Sequence, residues 1–151
     1  SFNIFIPVLR KERKTINAQL KTSKSKLKIL VVDDEEFLRI LLADLLGELG
    51  HEVIQAENGG EALKIYKNMK DEIDLVILDI IMPFMDGFDV FKELKQIKSD
   101  VKVIFTSGFS ADEKMMINLT AMEPNVRYIQ KPYQLNEIET AIKSLFGSSQ
   151  I

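Results

Sequence analysis

Lys28-Ile29-Leu30-Val31-Val32-Asp33-Asp34 is the stretch whose reading decides the fold. Ile29 to Val32 is a continuous apolar run with no polar alternation, the pattern of a strand buried on both faces, and two carboxylates end it. Behind it, Leu38, Leu41, Leu42, Leu45 and Leu49 recur at helical spacing from Glu36 to Leu49, and Gly50 closes the segment. A doubly covered strand followed at once by an amphipathic helix is a βα unit. The same grammar repeats down the chain. Val53–Ala56 is a second strand, and Asn58 with Glu61 three residues on opens a helix carrying Ala62, Ile65, Tyr66 and Met69 on one face. Leu75–Leu78 is a third strand, followed by a helix marked by Val90, Phe91, Leu94 and Ile97. Val101–Phe105, rich in β-branched residues, is a fourth. Ser110 and Glu113 form a capping box for a helix continued by Met115, Leu119 and Met122. Val126–Ile129 is the fifth strand, and Leu135, Ile138, Ile142 and Leu145 mark a last helix that stops near Gly147. Five βα units predict an α/β fold, a parallel five-stranded sheet with helices on both faces.

Composition narrows the function. The 151 residues are 46% hydrophobic and 28% charged, values of one soluble globular domain. The absence of cysteine excludes a disulfide framework, thiolate metal sites and a Cys nucleophile, and a single histidine, His51, leaves His-rich zinc sites and Ser-His-Asp chemistry almost nothing to work with. His51 is expected in a surface loop without partners, and Met115, Met116 and Met122 mostly in the core. No apolar run reaches the roughly 18–20 residues of a membrane span. The basic cluster near the N-terminus follows a short apolar stretch, the reverse of a secretory signal, so a cytoplasmic location is expected. Charge is uneven: residues 1–27 carry net +6 and residues 28–151 net −9. The acidic body opposes binding to phosphate backbones, and the basic head lacks aromatic interleaving, as a solvated linker does. No nucleic-acid partner and no membrane contact by these residues are expected.

In an open parallel sheet, ligands bind beyond the carboxyl ends of the strands. Asp33 and Asp34 follow the first strand, Asp79 the third, Thr106 and Ser107 end the fourth, and Lys131-Pro132 follows the fifth. Crowded carboxylates repel unless a cation joins them, and a hard divalent ion with oxygen ligands, Mg²⁺, fits. A carboxylate beside such an ion and a lysine can attack a phosphoryl group and become an aspartyl phosphate. Lys131, a compact point charge, and the ion would neutralise the transferred oxygens. Taken singly, Asp33 also fits a helix N-cap, Thr106 an ordinary β-branched strand residue, and Tyr128 a packing aromatic.

Residues 27–147 resemble the receiver domain of two-component response regulators. The resemblance is carried by Asp33-Asp34 after Leu30-Val31-Val32, Asp79 in Leu78-Asp79-Ile80-Ile81-Met82-Pro83, Asp86-Gly87, Thr106-Ser107-Gly108 and Lys131-Pro132, in that order. It implies a flavodoxin-like doubly wound (βα)5 fold with strand order 2-1-3-4-5. It implies Asp79 as phosphoacceptor, charged from a phosphohistidine on a histidine kinase or histidine phosphotransfer protein. Such a domain is a self-phosphorylating phosphoacceptor rather than a turnover enzyme. Asp34 is implied as a direct Mg²⁺ ligand, Asp33 as one acting directly or through water, and the Ile81 backbone carbonyl as another. Thr106 resembles the switch hydroxyl and Tyr128 the aromatic switch position. Lys131 resembles the phosphate-binding lysine, with a cis bond to Pro132. A weak homodimer through the face of the fourth and fifth helices belongs to the same implication. Ile81 and Gly108 lack polar side chains at positions that can orient an attacking water, so slow loss of the phosphoryl group is expected.

Phe2, Ile4 and Ile6, closed by Pro7, alternate as a strand and resemble the last strand of the ATP-binding domain of sensor histidine kinases. This suggests an upstream remnant at 1–8, a basic linker at 9–26, the receiver at 27–147 and a tail at 148–151. The parent would then be a hybrid histidine kinase, itself able to be membrane-anchored. With no DNA-binding segment after Gly147, output is expected by phosphorelay or protein contact. The alternatives are a stand-alone single-domain response regulator and a non-phosphorylated pseudo-receiver that only binds partners. A phosphatase of the haloacid dehalogenase type needs a second Asp where Ile81 stands.

Overall fold

Every strand of the sheet runs the same way, because each is followed by a helix that carries the chain back across one face. The computed structural model describes residues 26–108 and 113–146. The strands are β1 (Lys28–Val32), β2 (Glu52–Ala56), β3 (Leu75–Asp79), β4 (Val103–Ser107) and β5 (Val126–Gln130). The helices are α1 (Glu36–Glu48), α2 (Gly59–Met69), α3 (Gly87–Ile97), α4 (Glu113–Met122) and α5 (Leu135–Phe146). All strand pairs are parallel, in the order β2-β1-β3-β4-β5. The doubly wound expectation is met. The remnant at 1–8, nearly all of the linker at 9–26, the Ser110 cap and the tail at 148–151 lie outside the described residues.

Two cores flank the sheet. Leu30, Val32, Val76, Leu78 and Phe105 pack against Ala62 and Tyr66 of α2, Val90, Phe91 and Leu94 of α3, and Met116 of α4. Ile29, Val31, Ile77, Ile104 and Ile129 face the other way, onto Leu42 and Leu46 of α1 and Ile138 and Ile142 of α5. Alternate residues of one apolar run thus feed both cores, which explains why β3 and β4 are buried at every position. Phe105 anchors the first core, its ring centroid 5.3 Å from Phe88 and 5.5 Å from Phe91.

Three local expectations need correction. β4 begins at Val103 rather than Val101, because the Val101 N–H donates to the Lys98 carbonyl at 3.1 Å and holds that residue in a turn. Only Met116 of the three methionines is buried: Met115 is 44% and Met122 79% exposed, since α4 turns a narrow stripe toward the sheet. His51 has a partner, because the Leu27 N–H donates to its Nδ1 at 3.1 Å. The ring prolongs the β1–β2 ladder past Glu52, whose N–H donates to the Leu27 carbonyl at 2.9 Å.

Burial pushes the His51 pKa down, so the folded chain favours the neutral, accepting ring. The sign follows: its stabilisation is present above the unfolded value near 6.5 and is lost as pH falls through the lowered folded value. His51→Ala strands the Leu27 donor and is expected to cost about 1–3 kcal/mol in urea denaturation at neutral pH. The gap from wild type should narrow in acid; an equal gap at both pH values would refute the coupling.

Candidate functional site

Parallel strands deliver their carboxyl ends to one rim, so residues far apart in sequence become neighbours there. Asp33 leaves β1, Asp79 ends β3, Thr106 lies opposite Asp79 on β4, and Lys131 follows β5. Asp33, Asp79 and Thr106 are 3%, 4% and 2% exposed, whereas Asp34 is exposed. Oxygens of Asp33, Asp34 and Asp79 all lie within 4.8 Å of one another. Lys131 Nζ donates to Asp33 Oδ2 at 2.9 Å and sits 3.5 Å from Asp79 Oδ1.

The backbone sets these positions. The Lys131 N–H donates to the Ser107 carbonyl at 2.8 Å and the Ile80 N–H to the Thr106 carbonyl at 2.9 Å, which fastens both loops to β4. The Lys131–Pro132 peptide is cis. Asp86 caps α3 by accepting from the Asp89 N–H at 2.9 Å, while the Gly87 N–H donates to the Ile80 carbonyl at 2.8 Å. This brings α3 against the end of β3. Between them, Met85 N–H closes on the Pro83 carbonyl at 2.8 Å around Phe84, which takes φ 70 and stands fully exposed.

Electrostatics follow from this crowding. Burial first, then the Asp33 charge, pushes the Asp79 carboxyl up to about 7 against the pull of Lys131. Burial lowers the Lys131 pKa, but the Asp33 hydrogen bond and the charges of Asp79 and Asp33 outweigh it, so the net shift is upward and the ammonium persists. One ammonium does not balance three carboxylates. An all-oxygen donor set of that charge and spacing fits a hard divalent cation.

The structure therefore brings Asp33, Asp34, Asp79 and Lys131 together, with Thr106 beside them. Ile81 lies two residues past Asp79 and is 54% exposed. Tyr128 is half-buried, packs on the core and pairs in register with Phe105. Two neighbours escaped the sequence reading. Arg39 on α1 donates from Nη1 to the Asp33 backbone carbonyl at 2.8 Å. The Tyr133 hydroxyl is buried with no hydrogen-bond partner among the described residues, and burial, then the charges of Asp33, Asp79 and Glu35, raises its pKa. Its place directly after Lys131-Pro132 was the one available signal; Arg39 offered none, being one more polar residue on an amphipathic helix.

Comparison with known proteins gives a consistent picture. A family model described as the response regulator receiver domain matches residues 29–143. Chemotaxis protein CheY of Bacillus subtilis (strain 168) is 38% identical over 117 residues, which cover 76% of this chain and 93% of that protein. Sensor kinase CckA of Brucella abortus (strain 2308) is 31% identical over 155 residues, covering 96% of this chain but 16% of that protein's length. Among solved structures, response regulator TrrA of Thermotoga maritima in complex with Mg(2+)-BeF matches with a TM-score of 0.67 at 39% identity, over 79% of this chain and 98% of that one. No described helix is long and apolar enough to cross a membrane.

Proposed function

The chain belongs to the response regulator receiver domain family, and from that membership we propose that it accepts a phosphoryl group on Asp79 from a phosphohistidine. The donor is a histidine kinase or histidine phosphotransfer protein. The observation that carries the reading is Lys131 held between two buried carboxylates, 2.9 Å from Asp33 and 3.5 Å from Asp79. An Asp79 carboxylate oxygen attacks phosphorus, the P–N bond breaks, and its electron pair returns to the donor imidazole, which then takes up a proton. Lys131 transfers its contact from Asp79 to the incoming phosphoryl oxygens, and the Thr106 hydroxyl turns to bond one of them. Asp34, Asp79, Asp33 directly or through water, and the Ile81 carbonyl would hold Mg²⁺, which when bound supplies further neutralisation of phosphoryl charge. Movement of Thr106 and Tyr128 then biases a two-state equilibrium of the α4–β5–α5 face. The exposed Met115, Ile117 and Met122 of α4 offer that face to a partner or a weak homodimer.

Incubation with acetyl phosphate and Mg²⁺, followed by intact mass, tests this reading. One phosphoryl increment that EDTA prevents is expected; no increment would leave a pseudo-receiver. Because Ile81 and Gly108 bring no polar side chain near the phosphoryl group, Ile81→Asn should shorten the phosphoryl half-life severalfold, and an unchanged half-life would count against that account.

A pH dependence follows from Asp79. Its folded pKa is raised, so in EDTA the stability contributed by the neutral carboxyl is present at low pH and is lost as pH rises through about 7. Melting in EDTA should therefore decline as pH rises from about 4, the unfolded carboxyl value, to about 7 and level off above it, while Mg²⁺ raises the melting temperature more at the upper end. A Mg²⁺ effect that shrinks as pH rises would contradict this electrostatic picture.

For the parent protein we infer a hybrid histidine kinase acting from the cytoplasm. Support comes from the alignment to a sensor kinase, whose 96% coverage of this chain reaches upstream of the receiver, and from the Phe2–Pro7 pattern. A stand-alone regulator is favoured instead by the 93% coverage of a chemotaxis protein's length. The reading frame upstream of Ser1 separates the two.

A further inference from the structure

Each polar atom of Asp33 is held. Its N–H donates to the Ala56 carbonyl at 3.2 Å, Oδ1 accepts from the Glu35 N–H at 2.9 Å, and Oδ2 accepts from Lys131 at 2.9 Å. The remaining group, its backbone carbonyl, accepts from Arg39 Nη1 at 2.8 Å. Arg39 lies in the first turn of α1, where its own N–H donates to the Glu35 carbonyl at 2.9 Å. Its Nε donates to Gln55 Oε1 on β2 at 3.1 Å. One planar guanidinium thus fastens a helix and a neighbouring strand to the peptide that joins Asp33 to Asp34.

That peptide governs where both acids point. A planar peptide cannot turn its carbonyl without carrying the next N and Cα along, so rotation at Asp33 re-aims Asp34. Asp34 is exposed and gains little orientation from packing. We propose that Arg39 is a positioning residue for the acid cluster: through Gln55 and the Asp33 carbonyl it fixes the Asp33–Asp34 peptide so that the two carboxylates converge on a divalent cation. This rests on the magnesium reading given above. The fork geometry matters more than the charge, since a lysine would bring a single ammonium on a flexible stem and could not hold both acceptors in one plane. Groups that orient metal ligands typically change affinity about 10–100-fold when lost.

The test is calorimetric titration of the full chain with Mg²⁺, with melting in EDTA alongside, for wild type, R39A, R39K, Q55A and R39A/Q55A. R39A and R39K are each expected to weaken Mg²⁺ binding about tenfold or more. Q55A should weaken it by a smaller factor without lowering the EDTA melting temperature. The double variant should bind no more weakly than R39A, because Gln55 acts through Arg39. If variants melt lower yet bind Mg²⁺ as wild type does, Arg39 only braces the fold and the proposal is overturned. Restoration by R39K would also overturn it, since charge would then suffice. Should R39A fail to fold, Q55A against wild type decides. A wild type that binds no Mg²⁺ sinks the magnesium reading and this one together, whereas wild-type binding with indifferent variants sinks this one alone.

Discussion

Asp79→Asn should gain no phosphoryl group from acetyl phosphate and Mg²⁺ under conditions that charge the wild type fully. The amide keeps the shape of the carboxyl but has no anionic oxygen to attack phosphorus, and the remaining acids sit in other places: Asp33 is tied to Lys131 and Glu35, and Asp34 is exposed. The same substitution removes the group that burial and Asp33 push up to about 7. In EDTA near pH 8 the variant should therefore melt higher than wild type, and the decline of wild-type stability with rising pH should flatten. Its Mg²⁺ affinity should fall, because one of three converging carboxylates is gone. Intact mass and melting curves report the two halves independently. A variant that still acquires the mass increment would move the acceptor role elsewhere; one that melts lower at pH 8 would refute the repulsion argument alone.

Gly87→Ala is expected to produce the largest loss of stability from the smallest change of side chain. An added Cβ would lie 2.6 Å from the Asp79 carbonyl oxygen and 2.8 Å from the Ile80 Cα. Both are backbone atoms of the β3 end, which cannot step aside as a flexible side chain can. Either α3 retreats, losing the bond from the Gly87 N–H to the Ile80 carbonyl, or the end of β3 shifts and carries Asp79 with it. Overpacking of this kind costs about 1–3 kcal/mol in cores that can partly adjust, and this backbone contact sits at the upper end of that range or beyond it. Urea denaturation measures the loss, and Mg²⁺ titration should show weaker binding because Asp79 is displaced. Gly108→Ala is the control: its added Cβ meets nothing within 4 Å among the described residues, so stability should hardly change. Equal behaviour of the two variants would show that the close approach of α3 to β3 is not maintained in solution.

Much of the fold was legible because its physics is local. A strand of a parallel sheet is buried on both faces, so Ile29–Val32 and Leu75–Leu78 read as unbroken apolar runs, while amphipathic helices betray themselves by period. Asn58 and Asp86 sit where helix N-caps are needed, and each accepts from the N–H three residues on. The acids and Lys131 could be grouped in advance because parallel strands all end on one rim. The strand order was less accessible. It came through resemblance: Gln55 and Arg127 interrupt β2 and β5, the two edges, but nothing in the runs orders the three strands between them.

The sequence alone determined the alternation of elements, the identity of the strand-end residues and the charge that calls for a cation. Tertiary structure alone decided which atoms meet. Lys131 and Asp33 stand 98 positions apart and 2.9 Å from each other. His51 becomes an acceptor only when Leu27 folds beside it, Met115 and Met122 stay in solvent because α4 turns another side inward, and Arg39 gains its part from a carbonyl just past β1 and a glutamine on β2. Periodicity encodes which face of an element is apolar. It carries no information about which polar atom a long side chain will reach once distant segments close, because that is set by packing of the whole sheet.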